Sequence, residues 1–142
     1  MAANTLKSTQ RTRVLLVDDH EATLRKFAHM LEPEFQVAGS ATGGREGVRA
    51  VLELRPDVVT LDMAMPGIDG LEAARRIRTA GSTARIVFLT VHSDSDYVAA
   101  ALKAGAFGYV LKSRAAQDLV AAIRSVLTGE VFISPGAEMD AQ

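Results

Sequence analysis

Five short apolar runs, each followed by a stretch of helical period, set the strongest limit on what this chain can fold into. The runs are "RVLLV" at about residues 13 to 17, "FQVAG", "DVVTL", "RIVFLT" and "AFGYVL". Leu24, Phe27, Ala28 and Leu31 follow the first at i, i+3, i+4, i+7, which predicts an amphipathic helix ending near Pro33. Val48, Val51 and Leu52 mark a second helix, Leu71, Ala74 and Ile77 a third, and Val98, Leu102 and Gly105 the inward face of a fourth. Leu119, Ile123, Val126 and Leu127 mark a fifth, which Gly129 can cap. Gly47 lies inside the second helix and costs about 1 kcal/mol against alanine, so this helix is expected to be the least stable. Strands without polar alternation are buried on both faces. That implies a parallel sheet, and right-handed crossovers wind it into an α/β three-layer sandwich of five strands and five helices.

At 142 residues and 48% apolar, the chain fits one domain with a single substantial core. Sixteen basic and 17 acidic side chains leave a formal charge of -1, so no global field holds nucleic acid or an anionic membrane. The absence of cysteine excludes disulfides, thiolate metal sites and cysteine nucleophiles. No apolar run approaches the roughly 18 residues needed to span a bilayer. "MAANTLKSTQRTR" is polar, basic and free of acids, without the apolar stretch of a secretory signal. The expected organisation is a disordered arm over 1–11, one domain over 12–130, and the start of a linker or tail over 131–142.

In a doubly wound sheet the functional site lies beyond the carboxyl ends of the strands, where strand order reverses. The first strand ends in Asp18-Asp19, the third in Asp62 and the fourth in Thr90, and the fifth is followed by Lys112. Any one of these could simply cap the next helix. Five at one edge of a sheet ordered 2-1-3-4-5 point instead to a site. Two like charges about 4 Å apart cost about 4 kcal/mol at an effective dielectric near 20, so the clustered carboxylates need a counterion. Oxygen donors favour Mg²⁺, or Mn²⁺, over zinc, and magnesium commonly shares its shell with phosphate. Thr90 and Lys112 suit phosphoryl oxygens, and one carboxylate could be a nucleophile. "GSATGG" lacks the Gly-Lys-Ser/Thr ending of a P-loop and reads as a strand-to-helix turn. The arginines of "AARRIR" read as a solvated face, His29 as an exposed helix residue and His20 as a helix-start residue.

"VLLVDDH", "RPDVVTLDMAMPGIDGLEAARRIR", "LTVHSD" and "ALKAGAFGYVLKS" together resemble the receiver domain of bacterial two-component response regulators, over about residues 12 to 130. The phrases look most like the NarL/FixJ (LuxR-type) subfamily, whose receivers usually precede a helix-turn-helix DNA-binding domain. The resemblance implies a flavodoxin-like fold of strand order 2-1-3-4-5 and a cytoplasmic signalling switch rather than a turnover enzyme. It implies Asp62 as the phosphoacceptor from a sensor histidine kinase. Asp19, Asp62 and the Ala64 carbonyl would ligate Mg²⁺, Asp18 would hold a metal-bound water, Thr90 and Lys112 would contact the phosphoryl group, and Tyr109 would be the aromatic switch. Near Tyr109 the plain alternative is a strand aromatic packed on the last helix. Ala64 and His92 occupy positions that flank the phosphoryl group and tune its loss; His92 either orients water or is a solvated loop residue. Ser113 replaces the proline that family members often carry after the lysine, and a cis bond without proline costs about 3 kcal/mol, so a trans Lys112-Ser113 bond is expected.

The chain ends at "ISPGAEMDAQ", soon after the last helix. Output through a DNA-binding domain absent from this chain is therefore one expectation, and a stand-alone receiver acting on a protein partner the other. Homodimerisation on phosphorylation, through the first and last helices, is a further expectation of the type. A magnesium phosphohydrolase of the haloacid-dehalogenase type would need a second acid two residues beyond its nucleophile, where Ala64 stands. A flavin or nucleotide binder would need glycines after the first strand, where "DDHEATLRK" stands.

Overall fold

β1 (Arg13–Val17), β2 (Gln36–Ala41), β3 (Val58–Leu61), β4 (Arg85–Thr90) and β5 (Gly108–Leu111) alternate with α1 (Glu21–Leu31), α2 (Gly44–Leu54), α3 (Gly70–Thr79), α4 (Ser95–Lys103) and α5 (Ala115–Leu127). The computed structural model describes residues 11–137. All strand pairs are parallel, in the order β2-β1-β3-β4-β5-β6. The sixth strand corrects the expected count of five. β6 (Phe132–Ile133) is two residues long and half-buried, too short to leave a period of its own in the sequence. It pairs with Gly108 and Tyr109, so residues 132 and 133 lie on the sheet. The rest of the expected tail beyond 137, and the expected arm before 11, fall outside the described residues.

Alternating strand residues feed two cores. Leu15, Val17, Val59, Leu61, Ile86, Phe88 and Tyr109 pack on one face with Val51, Ala74, Ile77 and Val98. Val14, Leu16, Val58, Val87, Leu89 and Val110 pack on the other with Leu24, Phe27, Leu31, Leu119, Ile123 and Val126. This two-sided burial is why the strands read as unbroken apolar runs. No helix among the described residues is long and apolar enough to cross a membrane.

Two expectations about helix faces need correction. Gly105 follows α4 rather than facing inward from it; its φ of +104° suits a residue without a side chain, turning the chain toward β5. Arg78 leaves the solvated face, because its guanidinium donates to the carbonyls of Gly105 at 2.8 Å and Ser82 at 3.2 Å. Arg75 and Arg76 are exposed and pair with Glu72 on their own helix, as expected. Gly129, with φ +86°, ends α5, and the described chain has no cis peptide bond, so Lys112-Ser113 is trans.

Candidate functional site at the carboxyl edge of the sheet

Register brings the polar residues together. Val17 pairs with Leu61, so Asp18 and Asp62 leave adjacent strands at the same height. Backbone bonds carry the ladder into both: Asp18 N–H donates to the Ala41 carbonyl and Asp62 N–H to the Val17 carbonyl, each at 3.1 Å. β4 runs on past its pairing with β3, and Thr90 pairs with Leu111, which sets Lys112 at the same edge. Asp18, Asp62 and Thr90 are buried; the Asp19 side chain is 23% exposed.

Lys112 supplies the counterion that the acids require. Its Nζ lies 2.7 Å from Asp18 Oδ2 and 3.3 Å from Asp62 Oδ2. Burial pushes the Asp62 carboxyl above the ordinary carboxylate range, against the opposing charge of Lys112. Burial alone would lower Lys112, but its hydrogen bond to Asp18 and the charges of Asp62 and Asp18 hold the ammonium above its usual value. At neutral pH the ammonium is therefore charged, and two of the three carboxylates share it.

Asp19 is left over. Its Oδ1 is a buried side-chain oxygen without a hydrogen bond, although His20 Nδ1 lies 3.2 Å away, out of bonding alignment. Among the described residues, Asp18, Asp19 and His20 bring one ligand atom each within 4.8 Å of one another. A buried, unbonded carboxylate oxygen beside a second carboxylate fits a hard divalent cation. Asp62 is not in that close group; its carboxylate faces Lys112 and accepts from the Ala64 backbone N–H.

Thr90 Oγ1 accepts from His92 N–H at 3.2 Å, which leaves the hydroxyl proton free to point elsewhere. Tyr109 is fully buried and its Oη donates to the His92 carbonyl at 2.7 Å; burial pushes its phenol up to about 12. The ring is thus turned inward under the β4–α4 loop. The His92 ring stacks on Tyr97, with centroids 4.4 Å apart. Ala64 is exposed on the turn after Asp62 and lines, with Met63, Met65, Pro66, His92 and Tyr97, a groove of about 470 Å³.

Several contributors escaped the sequence reading. A Cβ on Gly70 would sit 2.2 Å from the Asp62 carbonyl oxygen, so only glycine lets α3 start against the backbone that carries Asp62. Asp69 caps that helix by accepting from Glu72 N–H at 2.9 Å. The "DG" pair was visible, but the close approach that demands it is tertiary. Ser134 and Asp118, both buried, lie beneath the Lys112 turn, and nothing in their spacing signalled it.

Residues 14–124 match the response regulator receiver domain family. The chain belongs to that family. The transcriptional regulatory protein LiaR of Bacillus subtilis (strain 168) is 43% identical over 120 residues, which are 83% of this chain and 57% of that protein. A two-component response regulator of the LuxR family from Aurantimonas sp. SI85-9A1 superposes with TM-score 0.85 and 37% identity, covering 91% of this chain and 93% of that one. The isolated receiver domain of RcsB from Salmonella enterica serovar Typhimurium, solved with a beryllofluoride phosphomimetic, gives TM-score 0.82 at 25% identity over 90% and 96% of the two chains. This receiver domain therefore has the flavodoxin-like fold and LuxR/NarL-type relatives that the motifs implied, and it spans little more than half the length of the curated regulator it matches.

Proposed function

We propose that Asp62 is the phosphoacceptor of this receiver domain. A carboxylate oxygen of Asp62 attacks the phosphorus of a sensor kinase phosphohistidine, the P–N bond breaks, the imidazole leaves, and an acyl phosphate remains on Asp62. Asp19, Asp62, the Ala64 carbonyl and, through a water, Asp18 would hold Mg²⁺ or Mn²⁺; bound there, the cation offsets phosphoryl charge during in-line displacement. Lys112 shifts from its paired carboxylates to a phosphoryl oxygen, which has charge to spare for it. The Thr90 hydroxyl donates a hydrogen bond to another. As Thr90 moves, the Tyr109–His92 bond holds the β4–α4 loop inward, making Tyr109 the switch residue. Small Ala64 leaves the attacking water a path and His92 borders it, so the pair tunes the lifetime of the acyl phosphate.

The observation that carries this reading is Lys112 Nζ within 3.3 Å of both Asp18 and Asp62, with the unbonded Asp19 oxygen beside them. The output we propose is control of transcription, through a helix-turn-helix domain outside this sequence and a homodimer formed on phosphorylation. Support for it is the relative named a transcriptional regulatory protein, of which this chain spans 57%. The domain would act in the cytoplasm as a switch, catalysing only its own phosphorylation and dephosphorylation. Intact-mass measurement after acetyl phosphate and Mg²⁺ tests the central claim. One added phosphoryl group, absent in Asp62→Ala, is the expected result; no addition to the parent under any metal condition would overturn it.

A further inference from the structure

We infer that Ser134, Asp118 and Arg114 are positioning residues that bracket Lys112 from both sides, so that the segment after α5 forms part of the phosphorylation site. The inference rests on the role proposed above for Lys112. Lys112 opens a single 3₁₀ turn, Lys112–Arg114, between β5 and α5. Just before it, the Leu111 N–H donates to Ser134 Oγ at 3.1 Å. At its other end Arg114, the last residue of the turn, donates to Asp118 from Nε at 2.8 Å and from Nη2 at 3.3 Å. The two arms join, because Ser134 Oγ donates to Asp118 Oδ2 at 2.8 Å.

Each part has a physical reason. β6 ends at Ile133, so Leu111 has no further strand residue beside it, and a buried N–H needs an acceptor. The Ser134 hydroxyl provides that acceptor. Ser134 is itself held by its own N–H to the Tyr109 carbonyl at 2.9 Å and by its carbonyl to Ala137 N–H at 3.0 Å, and both Ser134 and Ala137 are fully buried. Ser113 lacks the ring with which a proline would fix φ in this turn, so the position of the turn rests on its hydrogen bonds. The bracket therefore sets where the Lys112 backbone sits, and a long side chain must start from the right place to meet Asp18 at 2.7 Å. Ser134 lies beyond residue 124, where the family match ends, which makes it a site component outside that boundary.

Acyl-phosphate formation from acetyl phosphate with Mg²⁺, followed in the full chain, tests the bracket in a double-mutant cycle of Ser134→Ala with Lys112→Ala. Ser134→Ala removes both hydrogen bonds of Oγ and is expected to slow the parent by roughly three- to thirtyfold, and to change little once Lys112 is gone. An unchanged rate, or the same slowing in the Lys112→Ala background, would overturn the inference. Arg114→Ala, on the more exposed arm, should slow the reaction in the same Lys112-dependent way and serves if Ser134→Ala melts out. Reductive methylation of Lys112, read by peptide mass, needs no phosphorylation at all. It should run several-fold faster in Ser134→Ala; equal rates count against the bracket, whereas a parent that takes no phosphoryl group counts against the function proposed above.

Discussion

Asp118 is a buried ion and Lys112 a half-buried one, and their surroundings treat them differently. Lys112 faces two carboxylates at the open edge, one of them lifted by burial. Asp118 has a partner of its own: the hydrogen bonds from Arg114, against the cost of burial and with help from Ser134, hold its carboxyl below the usual 3.8. A carboxyl lowered on folding contributes stability above its unfolded value, and that stability is lost as pH falls through the lowered one. Urea titrations between neutral pH and pH 2 should show the parent losing stability below about 3.8, with a flatter acid limb in Asp118→Asn. Equal acid limbs would remove Asp118 from the account. Asp18, Asp19, Asp62, Thr90 and Lys112 could be picked out of the sequence because each follows or ends an apolar strand. Asp118 could not, since a carboxylate in the first turn of a helix ordinarily meets water.

Gly47 shows how an element can be misread from its own residues. In isolation it weakens α2, and alanine there should add about 1 kcal/mol. In the fold, a Cβ at Gly47 would come within 2.9 Å of Val17 Cγ1, at the end of β1 next to Asp18. The glycine lets α2 lie close on the sheet. Gly47→Ala is therefore expected to destabilise by about 1–3 kcal/mol through overpacking, with part of the loss restored by Val17→Ala. Chemical denaturation of the three variants checks it, and a stabilised Gly47→Ala would show that propensity wins. The five helices and the five longer strands were legible because buried faces impose a period. β6 was not, because two residues have no period, and Arg78 was misplaced because one of its acceptors, the Gly105 carbonyl, belongs to a loop distant in sequence.

For the molecule as a whole, the carboxyl edge is a place of stored electrostatic cost. Lys112 offsets two acids, and Asp19 Oδ1 has no hydrogen bond. A divalent cation that binds the folded state alone should stabilise it, by about 2.7 kcal/mol at a hundred times its Kd. Thermal melts in Mg²⁺ against chelator should show that rise, and Asp19→Asn should lose most of it. No shift in the parent would argue that Lys112 already satisfies the edge. The sequence by itself determined the alternation of elements, the two-sided burial of the strands, and which residue types stand at their carboxyl ends, because these follow from local periodicity and chain order. Only the tertiary structure decided how the charges pair, that Tyr109 lies inward on the His92 carbonyl, and that Ser134 and Asp118 lie beneath the Lys112 turn. Those facts depend on which strands are neighbours and how closely helices approach them, and spacing along a chain does not encode distance across a sheet.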